Sequence, residues 1–173
     1  MEELLGRRVP WSAEAEQAVL GSCLIDPSCL PDVMTAVRGA DFYLPQNREI
    51  FETIFSMFTF AKPIDPVTVL DKLKELGYYH DNSRDYILQL MEITPTAANV
   101  SEYIRIVKDK ALLRRISETA GELTTLVQEG GETAQAVLDL AEQRIYAIRQ
   151  GKSSQGLEPL SKILVDVFDQ LQT

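Results

Sequence analysis

The sequence predicts an all-α protein: a compact helical head, a long projecting helical hairpin, and a flexible linker with a terminal amphipathic helix. Three observations carry this reading. Apolar residues recur at helical spacing along the chain, and no stretch shows the period-two alternation of a half-buried strand. Asp-Pro, Thr-Pro and Gly-Gly pairs punctuate it where helices should start and stop. Residues 97–129 contain no proline and only Gly121, which marks a helix long by globular standards. The expected divisions are a head over 1–96, a hairpin over 97–150, and a linker with its helix over 151–173.

In the head, Ser12 caps a first helix whose opening turn holds Glu14 and Glu16, acids favoured by the helix dipole. Ala15, Ala18, Val19 and Leu24 repeat along it, and Asp26-Pro27 ends it. Ser28 and Pro31 start a short second helix through Val33 and Val37. Pro45 opens a third, where Ile50, Phe51, Ile54, Phe55 and Phe58 form an aromatic wall expected at the heart of the core. Asp65-Pro66 starts a fourth that runs through Leu70, Leu73 and Leu76 to Gly77, which suits a left-handed helix end. A fifth covers roughly Arg84 to Ile93, and Thr94-Pro95 breaks the chain before the long helix.

That long helix changes face partway along. At about 100° per residue, Val100, Ile104, Val107 and Ala111 lie on one line, which would continue through Arg114, Arg115, Glu118 and Glu122. A second stripe, Leu112, Ile116, Ala120, Leu123 and Val127, is displaced by roughly 145°. The first half should pack on the head, and the second should pair with the helix that follows Gly130-Gly131. Thr133 caps that helix, whose Ala134, Val137, Leu138, Ala141, Ile145 and Ile148 share a narrow stripe. A two-helix projection buries little surface for the entropy lost on ordering it, so pairing with a second copy is its natural completion. The expected oligomer interface is Leu112, Ile116, Leu123, Val137, Leu138, Ala141, Ile145 and Ile148. A hairpin folded back on its own head is the alternative. The segment 151–159 reads as a flexible linker, before an amphipathic helix through Leu160, Ile163, Leu164, Val167, Phe168 and Leu171.

The composition disfavours several functions. Lys and Arg number 17 against 26 Asp and Glu, a net charge of −9, so the chain as a whole is a poor match for nucleic-acid phosphates. Its one basic concentration, Arg105, Lys108, Lys110, Arg114 and Arg115, reads as a solvated helix face, since only Tyr103 interleaves it with an aromatic ring. Cys23 and Cys29 lack the companions of a metal shell and read as buried, reduced thiols of a cytoplasmic protein. No apolar run approaches the roughly 18 residues of a membrane span, and the first residues carry no signal core. The single histidine, His80, sits in a polar loop, and catalysis by it would need a nucleophile or metal that is not identifiable. Gly151-Lys152-Ser153 lacks both the earlier glycine and the strand of a phosphate-binding loop. The expectation is a chain with no catalytic, cofactor or metal site.

Three stretches carry a family resemblance. They are Arg8-Val9-Pro10 followed by residues 14–21 (EAEQAVLG); Asp41-Phe42-Tyr43 with Ile50-Phe51 and Lys62-Pro63-Ile64-Asp65; and residues 94–99 (TPTAAN). In order and spacing they resemble the N-terminal region of bacterial DnaB-type replicative helicases. Tyr103, Arg105-Ile106-Val107 and residues 110–115 (KALLRR) are similar to that family's hairpin helix, and Leu160 to Leu171 to its linker helix. The chain departs from the family at Asn47, commonly His, and at Trp11, often a second Pro. It also lacks the usual Gly-Gly before Tyr86.

The resemblance implies a hexameric collar, a trimer of dimers whose hairpins meet between subunits, on which primase and the helicase loader dock. It places ATP, magnesium and unwinding in a motor domain beyond the linker helix, whose seat is a neighbouring subunit's motor. It leaves DNA to that motor or to weak contact. The docking surface would include the head's last helix and the outer side of the hairpin, with Tyr86, Leu123 and Leu126 as candidate residues. A stand-alone helical adaptor that binds replication proteins is the alternative reading, and a small hydrolase using His80 a third.

Overall fold

A computed structural model of the chain describes residues 8–151. Among them are seven α-helices and no strand: α1 Ala13–Ile25, α2 Leu30–Ala36, α3 Pro45–Thr59, α4 Pro66–Glu75, α5 Ser83–Glu92, α6 Val100–Glu129 and α7 Ala134–Arg149. Short 3-10 turns at Pro27–Cys29 and Gly39–Asp41 flank α2. The chain forms two compact units that divide after Arg114, inside α6. Among the described residues, no helix is long and apolar enough to cross a membrane.

The helix starts follow the capping chemistry of the sequence. Ser12 Oγ accepts from the Ala15 amide at 3.2 Å, and Thr133 Oγ1 from the Ala136 amide at 3.1 Å. At α4 the caps are reciprocal: Asp65 Oδ1 accepts from the Thr68 amide and Thr68 Oγ1 from the Asp65 amide. The long helix starts at Val100 rather than Ala97, because residues 97–99 make a turn closed by Val100 N–H on the Ala97 carbonyl. The Thr96 hydroxyl, bonded to the Ala98 amide, holds that turn.

Two helix ends use the same left-handed closure. After α4, Gly77 at φ 76° lets the Tyr78 amide reach the Leu73 carbonyl at 2.8 Å. After α3, the Lys62 amide reaches the Met57 carbonyl at 2.8 Å, but the left-handed position is Ala61, at φ 51°. A side chain there costs about 1 kcal/mol. Ala61→Gly is therefore expected to raise stability by up to about 1 kcal/mol, less the extra entropy of the unfolded glycine. Urea denaturation measures it, and a lower midpoint for the glycine variant would contradict the assignment.

Within the first unit, α1 is the central helix. It packs on α5, α3 and α2, and eight of its residues, from Ala15 to Leu24, are buried around most of its circumference. Gly21 lies directly against α5: a Cβ built on it would stand 2.4 Å from the Leu90 carbonyl oxygen and 2.0 Å from Thr94 Oγ1. Phe42 and Phe51 stack at 4.9 Å in the core, with Ile50 and Ile54 beside them. The aromatic wall is narrower than expected, because Phe55 and Phe58 at the edges of the α3 face remain exposed. Val100, Ile104, Val107 and Ala111 are all buried in this unit, so the first half of α6 packs on the head through the anticipated line.

Candidate interaction site

The second unit contains the end of α6 and α7, joined at Gly130 and Gly131, whose φ values of 70° and 92° suit glycine. Thr119 of α6 is buried, and Leu123 and Leu126 are half-buried. On α7 the half-buried set is Val137, Leu140, Ala141, Arg144, Ala147 and Ile148. Arg144 Nε stands 3.5 Å from Glu122 Oε2, an ion pair between the two helices.

The expected α7 stripe therefore straddles two environments. Its edge of Val137, Ala141 and Ile148 is partly covered, whereas Leu138 and Ile145 lie roughly 100° round from the middle of the covered face and stay exposed, by 54% and 46%. On α6, Leu123 is half-buried while Leu112, Ile116 and Val127 are exposed. Leu126, Val127, Ala134, Val137, Leu138 and Ala141 line a shallow concavity of about 480 Å³. A second, of about 390 Å³, continues along α7 past Ala141, Ile145 and Tyr146. Tyr146, 63% exposed, was not anticipated from the stripe, because its position falls beside the apolar line rather than on it.

The other nominated residues have different surroundings. Leu126 lines the larger concavity, and Leu123 faces the hairpin seam. Tyr86 on α5 is half-buried and its hydroxyl is engaged: it donates to Asn47 Oδ1 at 2.6 Å and accepts from Gln17 Nε2 at 3.3 Å. Burial holds that hydroxyl above the ordinary tyrosine range; the Gln17 hydrogen bond opposes the shift and the nearby Glu16 carboxylate adds to it. Leu160, Ile163, Leu164, Val167, Phe168 and Leu171 lie outside the described residues.

One polar residue keeps its expected place and gains distant partners, and the reading of another is corrected: Glu16 lies in the first turn of α1 as expected, whereas Arg114 differs. Glu16 is buried and caps α3 from across the head: its carboxylate accepts from the Tyr43 amide at 2.6 Å, the Leu44 amide at 3.4 Å and Asn47 Nδ2 at 2.8 Å. The carboxylate thus faces the positive end of α3 as well as its own helix start. Arg114 is not a solvated member of the basic face. Its guanidinium donates to the Pro10 carbonyl at 2.8 Å and the Asp41 carbonyl at 2.7 Å, and lies 5.5 Å from the Tyr43 ring centre. Tyr43 in turn packs on Trp11 at 5.2 Å. Arg105 does lie exposed, paired with Glu102 and Asp109 on its own helix.

His80 Nε2 meets Glu49 Oε2 at 2.8 Å, and the His80 amide donates to Ser83 Oγ, so this residue ties the loop before α5 to α3. Cys23 and Cys29 are buried free thiols sharing a hydrogen bond, which together with burial pushes the Cys23 thiol up. Among the described residues, no cluster of three or more His, Cys, Asp or Glu side chains is placed to hold a metal.

A helical head followed by a pair of helices, with no strand among the described residues, defines an all-helical domain. Residues 8–109 match the DnaB-like helicase N-terminal domain, and the chain belongs to that family. It is 34% identical to the replicative DNA helicase DnaB of Leifsonia xyli over 96% of its length, and 34% identical to that of Geobacillus stearothermophilus over 99%. It spans only 36% and 38% of those relatives' lengths. The stretch matched is the N-terminal domain, not the catalytic motor. Among solved structures, the N-terminal domain of Mycobacterium tuberculosis DnaB helicase superposes with a TM-score of 0.76 at 32% identity, covering 82% of this chain and 99% of that one. A DnaB-like replicative helicase described with its interactions with primase shares the fold, with a TM-score of 0.61 at 18% identity over 91% of this chain and 36% of that one.

Proposed function

We propose that this chain forms the N-terminal collar of a replicative DNA helicase, assembling the hexamer through its hairpins and receiving primase and the helicase loader on the outer surface of hairpin and head. ATP, magnesium and unwinding belong to the motor domain of the whole protein, in the cytoplasm, and DNA meets that motor rather than this acidic segment. The observation that carries the reading is the uncovered strip of Val127, Leu138, Ile145 and Tyr146 along the hairpin. A second copy related by a two-fold axis offers the same strip in return. Covering each of these side chains removes apolar area from water, about 1.5–3 kcal/mol for a fully buried one. Partner docking is supported by the family and by the relative of like fold described with primase.

Ile145→Glu tests the assembly step, because Ile145 is exposed in the single chain and glutamate there leaves the intrachain seam intact. Light scattering should give the parent a mass that is a multiple of 19.4 kDa, and the variant the mass of one chain, at equal helical content. Dissociation constants should differ by at least tenfold, since two carboxylates would be buried per pair. Equal masses for the two proteins would count against the hairpin as the assembly surface.

A further inference from the structure

We infer that Tyr86, Asn47, Glu16, Tyr43 and Arg114 form one polar relay that couples the outer surface of α5 to the last residue of the head on α6. The contacts are continuous. Gln17 donates to the Tyr86 hydroxyl, which donates to Asn47 Oδ1; Asn47 Nδ2 donates to Glu16 Oε2; and Glu16 Oε1 accepts from the Tyr43 amide. The Tyr43 ring lies under the Arg114 guanidinium, which also grips the Asp41 carbonyl two residues earlier.

The chemistry makes this arrangement hard to break in parts. Asn47 is fully buried and uses its carbonyl towards Tyr86 and its amino group towards Glu16, so turning the amide over would set its oxygen against the Glu16 carboxylate, two acceptors with no proton between them. If the Tyr86 hydroxyl leaves, Asn47 Oδ1 is stranded in the core and Asn47 can relax only by releasing Glu16. Glu16 is the acceptor that holds the 43–44 backbone, and that backbone carries the ring on which Arg114 rests. Buried networks of this kind act together because each bond polarises and orients the next.

Tyr86 is half-buried, as Tyr43 and Arg114 are, and it is the relay member carried by the head's last short helix. A partner that seats on α5 and draws Tyr86 outward therefore loosens the hold on Arg114, at the residue after which the second unit begins. Use of the relay by a docking partner rests on the function proposed above; the coupling itself does not.

A double-mutant cycle on the full chain tests the coupling. Tyr86→Phe, Arg114→Leu and the double variant are unfolded in urea, and Trp11, the chain's one tryptophan and a neighbour of Tyr43, reports on the Arg114 end. In the double variant, the loss of folding equilibrium constant should fall short of the product of the single losses by fivefold or more. Tyr86→Phe combined with Arg105→Ala, on the solvated face of the same helix, should multiply simply. Tyr86→Phe alone should also raise acrylamide quenching of Trp11. Simple multiplication within twofold for Tyr86 and Arg114 overturns the relay whatever Trp11 does. If Arg114→Leu does not fold, the Trp11 measurement decides, and quenching equal to the parent's overturns it.

Discussion

Replacing Gly21 with alanine is expected to lower the stability of the head by about 3 kcal/mol or more, a large part of the margin of a typical domain. The added carbon would stand 2.0 Å from Thr94 Oγ1, 2.4 Å from the Leu90 carbonyl oxygen and 2.8 Å from Thr94 Cβ. The carbonyl belongs to the backbone and cannot turn aside. The Thr94 hydroxyl is held on that same carbonyl at 2.8 Å, so moving it surrenders a buried hydrogen bond. Relief requires α1 and α5 to separate along one of the main contacts of the core. Urea denaturation followed by Trp11 fluorescence measures the loss, and an unchanged midpoint would refute the close approach of the two helices.

The second large effect is expected at Glu16→Leu, at about 3 kcal/mol. Leucine is close to glutamate in bulk, so little of the change is a cavity. What is lost is the acceptor for two part-buried backbone amides and for the fully buried Asn47 side chain. Glu16→Gln keeps an acceptor oxygen but turns an amino group towards donors, and should fall between the parent and leucine. Calorimetric or urea unfolding that placed Glu16→Leu within 0.5 kcal/mol of the parent would show that the carboxylate does not hold the start of α3.

Both positions show where sequence reading stops. Every helix among the described residues was legible, because the caps at Ser12, Asp65 and Thr133 and the apolar spacing are local signals that depend on a few adjacent residues. The first face of α6 was legible for the same reason, and the buried line Val100 to Ala111 follows it. Of the second stripe only Leu123 is half-buried, while Leu112, Ile116, Ala120 and Val127 are exposed, and Thr119 and Leu126 are the residues covered beside Leu123. Glu16 looked like an ordinary first-turn acid, since the amides it serves lie 27 and 28 residues away and nothing local marks them. Arg114 read as solvated because arginine breaks the apolar line; its carbonyl partners lie 104 and 73 residues away. Gly21 did carry a signal, since glycine inside a helix costs roughly 1 kcal/mol against alanine and usually marks a close packing contact. In the hairpin, periodicity found the apolar positions on α7 but could not divide them between α6 and an outer strip. Arg144 sits on the inner face and hid its true centre.

The central position of α1 also sets an order of events during synthesis. This helix is made before the neighbours that bury it, and the one it contacts most, α5, arrives late: Gln17 and its partner Tyr86 are 69 residues apart. At roughly 5–20 residues per second, the most apolar helix of the head waits about 3–14 s before α5 exists to cover it. The nascent chain thus shows Val19, Leu20 and Leu24 to the cell before it can hide them, and a holding chaperone has its clearest target in that interval.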